Sequence, residues 1–219
     1  NFVGPVVENY QGSLHMLFEG MALAVLVVFC FLRNWRATLI AAVTLPLSII
    51  PTFAFMHLMG FSLNVVTLLA LSLVIGVLVD DAIVEIENIE RHLLMGKPPR
   101  QAAMDAAAEI GLAVVATTFT LIAVFLPTAF MSGTVGQFFV QFGWTASVAV
   151  LFSLLVARLL TPMLAAYLLR KPHQHPRDPA WISYYLVVAR WCLRHRKTTL
   201  FAAAACFAGG IWLASTLPG

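Results

Sequence analysis

Charge is what this 219-residue chain has least of. Lys, Arg, Asp and Glu make up 11% of it, less than half of the roughly 25% typical of soluble domains. With 61% hydrophobic residues and a mean hydropathy of +0.90, that scarcity excludes an ordinary soluble domain. Cysteine is scarce too. Cys30, Cys192 and Cys206 show no paired spacing, and two of them lie in or beside apolar runs, so neither a structural disulfide nor a thiolate metal site is expected. His173, His175 and His195 match no metal-ligand spacing either. The pI is near 9.0, yet the basic residues form no continuous stripe, which argues against nucleic acid as a partner. There is no internal repeat, no low-complexity tract and no catalytic module, and hence no cofactor is expected.

What the chain does have is long apolar runs. Several exceed the roughly 18 residues that mark a spanning helix, and they recur along the whole length, so a signal peptide cannot account for them. Six are predicted: Leu14 to Leu32; Leu39 to Met59, with Pro46 and Pro51 inside; a third from Phe61, after a tight return at Gly60-Phe61-Ser62; Ile110 to Phe130, with Pro127 near its end; a fifth ending at Leu169; and Leu200 to Leu217. The expected fold is therefore an all-α membrane protein, a bundle of six transmembrane helices. Its expected organisation is an entry segment at 1–12, five spans within 13–170, a linker with a surface helix at 171–197, and a last span at 198–217. Beginning at Asn1 without Met and stopping at Pro218-Gly219 directly after an apolar run, the chain reads as a piece of a longer protein.

Lys and Arg are retained in cytoplasmic loops, and here 12 of the 13 fall in alternate connections. Arg33 and Arg36 lie in the first, Arg91, Lys97 and Arg100 in the second, and Arg170, Lys171, Arg177, Arg190, Arg194, Arg196 and Lys197 in the third; "HLMGFSLN" and "AFMSGTVGQ" carry none. The N-terminus is thus expected outside, and the last run exits outside. Within "HQHPRDPAWISYYLVVARWCLRHRK", helical spacing puts Trp181, Tyr185, Val188 and Cys192 on one face, with Ile182 and Ala189 beside it, and Arg190, Arg194 and Lys197 opposite. This predicts an amphipathic helix lying in the cytoplasmic headgroups. A short soluble helix packed under the bundle is the alternative.

The third run holds the residues that carry chemistry, "VIGVLVDDAIVEIENIERHL". An aspartate at a helix centre costs roughly 2.5–3.5 kcal/mol, and such residues face a bundle interior or a wet cavity and mark function. Asp80 and Asp81 stand about 100° apart, so neither can be turned to lipid without loss. They could merely mark the membrane boundary, since Asp81 lies about 28 Å along the span counted from Leu63. Against that, Ala82-Ile83-Val84 continues apolar, while Glu85, Glu87, Glu90 and Arg91 already supply a polar exit. Two adjacent carboxylates in low dielectric cannot both ionise cheaply and titrate as a coupled pair, which suits them to taking up and releasing a proton. No Lys lies in any span, and Arg158 is the one intramembrane base; the partner of the pair is Arg158 or a group outside this chain. Glu19, near the outer end of the first run, is either a solvated edge residue or a relay member. Gly76, one turn before Asp80, could admit a close helix. Thr117, Thr118 and Thr120 could reach the aspartates, although bonding to their own helix carbonyls is cheaper.

Taken with "FLRNWRATLIAAVTLPLSI" before it, and "FLPTAFMSGTVGQFFVQF" and "LLTPMLAAYLL" after it, "GVLVDDAIVEIENIERHL" resembles the inner-membrane pumps of the resistance-nodulation-division (RND) family. The similarity covers nearly the whole chain in order, and the double aspartate looks like the hydrophobe/amphiphile drug-efflux branch. The resemblance implies that the six runs are the second to seventh of twelve spans and that Asp80 and Asp81 match the proton-relay aspartates of the fourth. Their family partners, a Lys, an Arg and a Thr, lie on helices of the second half, which makes Arg158 a lesser candidate; Glu19 falls where relatives often carry a glutamate. It further implies that residues 1–12 leave a periplasmic porter region, and that the whole is a homotrimer in the inner membrane. Such a pump exchanges protons for drugs or other amphiphiles, working with a periplasmic adaptor and an outer-membrane channel. A heavy-metal RND pump, which typically keeps one acidic residue here, and a non-exporting lipid-sensing or protein-export relative are the alternatives. An intramembrane aspartyl protease needs carboxylates converging from two helices, and here both stand consecutively on one.

Overall fold

The computed structural model of the chain describes residues 3–170 and 180–216, the side chains of 3–7, 9, 134, 135, 180–182 and 214 excepted. Among them every regular element is helical. In lipid a backbone must satisfy its own polar groups, and an α-helix does so within one segment.

The first compact unit holds α1 (Val3–Leu32), α2 (Trp35–Leu58), α3 (Val65–Leu94), α4 (Pro99–Phe125) with a 3-10 turn at Leu126–Phe130, α5 (Gly133–Leu155), a π-helical turn at Val156–Leu160, and α6 (Thr161–Leu168). The second unit holds α7 (Ala180–Arg194) and α8 (Arg196–Thr216), with Trp191 stacked on His195 between them. Five helical stretches among the described residues are long and apolar enough to cross a membrane: Tyr10–Leu32, Trp35–Leu58, Val65–Leu94, Pro99–Phe130 and Gly136–Leu168. These correspond to the first five predicted runs. Residues 171–179 of the predicted linker, with His173 and His175, lie outside the described residues, as do the side chains of Trp181 and Ile182.

The boundaries follow local chemistry more closely than hydropathy. A helix begins at Val65 rather than at Phe61 because Asn64 caps it: its side chain accepts the N–H groups of Val66 and Thr67, and Thr67 Oγ1 accepts the N–H of Asn64 in return. Gly60 and Gly96, at φ +70 and +89, end α2 and α3 in left-handed turns. In each, the glycine N–H reaches back to His57 or Leu93 and the next residue's to Met56 or His92, which satisfies carbonyls the helix end would leave bare. Both α3 and α4 extend well past their apolar runs, to Leu94 and back to Pro99.

Helix α3 is the axis of the first unit and packs against α1, α2, α4, α5 and α6. Its inner face buries Leu68, Leu71, Val74, Ile75, Leu78, Ala82, Ile86 and Ile89. Lipid offers no hydrophobic drive for helix association, so close packing of small residues matters, and α2 presents Ala37, Ala41, Thr44, Ser48 and Thr52 buried along one side. Thr44, Ser48 and Thr52 each donate to a carbonyl of the preceding turn. Gly143 on α5 is another close approach. A Cβ there would stand 2.6 Å from the Ala129 backbone nitrogen and 2.5 Å from Thr128 Oγ1. Backbone cannot swing aside, so Gly143→Ala is expected to cost about 1–3 kcal/mol, read as reduced resistance to detergent denaturation; unchanged resistance would show that α5 and the 3-10 turn are not in this contact.

Candidate functional site

The carboxylate pair sits on α3 with its members in different surroundings. Asp81 is half-buried against α5, and its Oδ2 lies 2.7 Å from Ser153 Oγ. Ser153 is itself buried, and its Oγ is also 3.3 Å from the Leu78 carbonyl. A hydroxyl has one proton and two lone pairs, so Ser153 can serve both protonation states of Asp81. It donates to the carboxylate, or it accepts from the carboxylic acid and turns its own proton to Leu78. Asp80 is exposed on the face that also carries Gly76, where a Cβ would meet nothing within 4 Å. Among the described residues no helix uses Gly76 for a close approach.

Arg158 meets a different acid. Its Nη1 donates to Glu85 Oε2 at 3.2 Å, and Glu85, whose place in the sequence suggests a polar exit, is fully buried. The local sequence explains the geometry. Pro162 has no N–H to offer the carbonyl four residues back, and the ladder widens before it, the Thr161 N–H bonding to Val156 five residues back. That π turn, a feature frequent at functional sites, carries Arg158 against α3 and α4. On α4 the room for the guanidinium is made by Gly111, where a Cβ would stand 2.6 Å from Arg158 Nη2.

Below Glu85 the same face of α3 stays polar and inward. Buried Asn88 donates to the Ala106 carbonyl at 3.1 Å and to Glu109 Oε2 at 3.4 Å. Buried His92 lies with Nε2 2.7 Å from Glu109 Oε2 and Nδ1 2.8 Å from Lys97 Nζ. An ammonium only donates, so Nδ1 accepts and the ring carries its proton on Nε2, toward Glu109. Arg91 pairs with Glu109 at 2.7 Å and Lys97 with Asp105 at 2.6 Å. At the same end, Asn34 donates to Glu90 Oε1 at 2.6 Å and Arg36 to the Leu168 carbonyl at 3.3 Å. The basic connections after α1 and α3 thus lie at one end of the unit, while Asn64 meets Gln141 at the other.

Among the described residues, none of the remaining candidates hydrogen-bonds to the aspartates. Glu19 is exposed on α1. Thr117 and Thr118 both donate to the Val114 carbonyl and Thr120 to that of Ala116, the cheaper of the two arrangements open to them. The cysteines are unpaired. Ser153 and Glu85 carry polar contacts that sequence reasoning did not assign. Glu85 could have been found from its i, i+4 relation to Asp81; Ser153 gives no signal beyond being a hydroxyl in an apolar stretch.

These features define a multi-pass helical membrane protein with acids and a base held inside its bundle. The sequence profile of the AcrB/AcrD/AcrF family matches residues 6–219. The chain belongs to that family, which bears out the RND resemblance. It is 44% identical over 211 residues to "Multidrug resistance protein MdtC" of Klebsiella pneumoniae (strain 342), covering 92% of this chain and 21% of the relative. It is 42% identical over 211 residues to the protein of the same name from Pectobacterium atrosepticum, with the same coverage. With that from Pantoea ananatis it shares 50% identity over 173 residues, 79% of this chain and 16% of the relative. The chain therefore spans about one fifth of the curated relatives it matches.

Proposed function

We propose that this chain is the proton-coupling transmembrane part of an inner-membrane drug/proton antiporter that exports drugs or other amphiphiles within a tripartite system. The observation that carries the reading is the divided aspartate pair: Asp81 is held by Ser153 inside the bundle while Asp80 faces outward from it. An acid that faces an open helix surface can meet a cation on another helix, and protonation would release that cation. This gives a two-state element that a proton can bias. The names of the relatives, multidrug resistance proteins, favour drug efflux over the heavy-metal and non-exporting alternatives.

In this reading α8 is the sixth span and α7 the interfacial helix on the cytoplasmic leaflet, with the N-terminus and the first turns of α1 periplasmic. The full protein is a homotrimer with a periplasmic adaptor and an outer-membrane channel. Asp80 and Asp81 carry the proton; Glu19, Arg158, Thr117 and Thr118 are accessory, and the Gly76 face of α3 receives a helix from elsewhere in the protein. The test is accumulation of a fluorescent amphiphilic cation in cells making a full-length permease that contains this chain. Accumulation is expected to fall below that of cells without the permease, and to recover when a protonophore collapses the gradient. Export that persists unchanged under the protonophore would rule out proton coupling.

A further inference from the structure

Asp81, Glu85, Asn88 and His92 recur at i, i+4, i+7 and i+11, the spacing of one helix face, and together they rise about 16 Å along α3. Glu85, Asn88 and His92 are all buried, and each has a polar partner on another element: Arg158 on the π turn, the Ala106 carbonyl and Glu109 on α4. The stripe ends at Glu109, whose side chain is 45% exposed. A polar stripe through an apolar bundle is costly and needs a reason. Glu85 makes the point most sharply, because Oε2 takes Arg158 while Oε1, also buried, has no hydrogen-bond partner among the described residues.

We propose that this stripe is the exit path of the coupling proton, with Glu85 the carboxylate that receives it from Asp81 and Glu109 the one that delivers it to cytoplasmic water. The inference rests on the antiport reading above. Each transfer breaks one O–H bond and forms another: the Asp81 acid gives its proton to Glu85, the Glu85 acid gives it to Glu109, and Glu109 gives it to water. The first step, from residue 81 to residue 85, rises about 6 Å along the helix, and both steps are bridged by water. Arg158 stays charged throughout. Its ion pair with Glu85 favours the ionised carboxyl and weakens when the carboxyl takes up a proton. Asn88 and His92 fix Glu109 by donating to it and are positioning residues.

Few other charges bear on Glu85. α5 has no titratable side chain, and α6 offers Tyr167, which is exposed. The acids of α1, Glu8 and Glu19, are exposed, while on α2 Arg36 and His57 stand at opposite ends. From α4, Asp105 and Glu109 engage the far end of α3 and its turn, through Lys97 and through Asn88, Arg91 and His92.

The test uses a full-length permease in proteoliposomes, with drug-driven proton flux and drug transport measured per inserted pump across the neutral pH range. Glu85→Gln is expected to lower both about 100-fold, the scale on which a positioned proton carrier contributes, and to flatten their pH profile. Glu85→Asp should recover part of the rate, and Glu87→Gln, on the exposed face of the same helix, should match wild type. Where Glu85→Gln inserts poorly, the charge-balanced Glu85→Gln/Arg158→Gln pair is measured on the inserted fraction and should show the same flattened profile. Wild-type flux and pH profile in either variant would overturn the path and reduce Glu85 to a structural ion-pair member. Asp81→Asn separates the two levels. If it abolishes flux while Glu85→Gln does not, the path alone fails; if Asp81→Asn itself transports normally, the antiport reading fails with it.

Discussion

Exchanging Asp81 for Asn in a full-length permease that contains this chain is expected to abolish gradient-driven export while leaving the protein folded and inserted. The shape of the side chain is kept, and an amide oxygen can still accept from Ser153 Oγ, which stands 2.7 Å from Oδ2 in the structure. What is lost is a group that can bind and release a proton. One charge moved inward across 100 mV carries about 2.3 kcal/mol, and each 1.4 kcal/mol is a factor of ten, so every coupled proton supports about a fifty-fold concentration ratio. Without the carrier that ratio collapses toward one. The measurement is accumulation of an uncharged amphiphile in cells, with permease amount in the membrane checked alongside. If the Asn variant sustains the wild-type ratio, Asp81 is a boundary residue and the coupling proton travels elsewhere.

The aspartates were legible because their cost is legible. Two acids in a long apolar run contradict the solvent the run implies, and only a function or a membrane edge resolves the contradiction. Their surroundings were not. Ser153 lies 72 residues from Asp81 in sequence, and nothing in a local pattern says which helix will face α3. Arg158 was visible as a lone base, yet its partner depends on a change of helical register. On a regular α-helix Ser153 and Arg158, five residues apart, would point about 140° from each other; the widened turn at Val156–Leu160 reduces that angle and lets the same stretch serve two successive acids of α3. Proline at 162 hints at an irregularity, but it does not say whether the result is a kink, a break or a π turn.

The five spans of the first unit illustrate the same division. Hydropathy located them because a membrane helix must be apolar over its spanning length. It misplaced the ends of α3 and α4 because hydrogen-bonded helix continues wherever side chains can solvate or pair beyond the lipid. There Arg91 and His92 meet Glu109, and Lys97 meets Asp105. Glu85 falls in the ambiguous zone between the two regimes. Along "EIENIE" the sequence offers three glutamates at the mouth of a span, and helical phase sends Glu87 to the outside and Glu85 into the bundle. Once the phase is fixed by the buried Leu78, Ala82, Ile86 and Ile89, an inward Glu85 needs an inward cation, and Arg158 supplies it.

That dependence predicts an asymmetric double-mutant cycle. Glu85→Leu alone strands the guanidinium of Arg158, which cannot shed its charge at any relevant pH. Removing one partner of a buried pair typically costs about 3–5 kcal/mol. Because the Arg158 side chain is 24% exposed and can reach some water, the lower end of that range is expected. Arg158→Leu alone should cost less, since the stranded carboxyl can take up a proton and become neutral. The double variant Glu85→Leu/Arg158→Leu replaces both charges with apolar groups and is expected to lie within about 1 kcal/mol of wild type or above it, as replaced buried pairs often do. Denaturation of the purified permease by graded detergent measures all three. A double variant no better than Glu85→Leu would show that the loss comes from packing rather than from a stranded charge. If Glu85 carries the coupling proton as proposed, proton coupling should be lost even in a stable double variant.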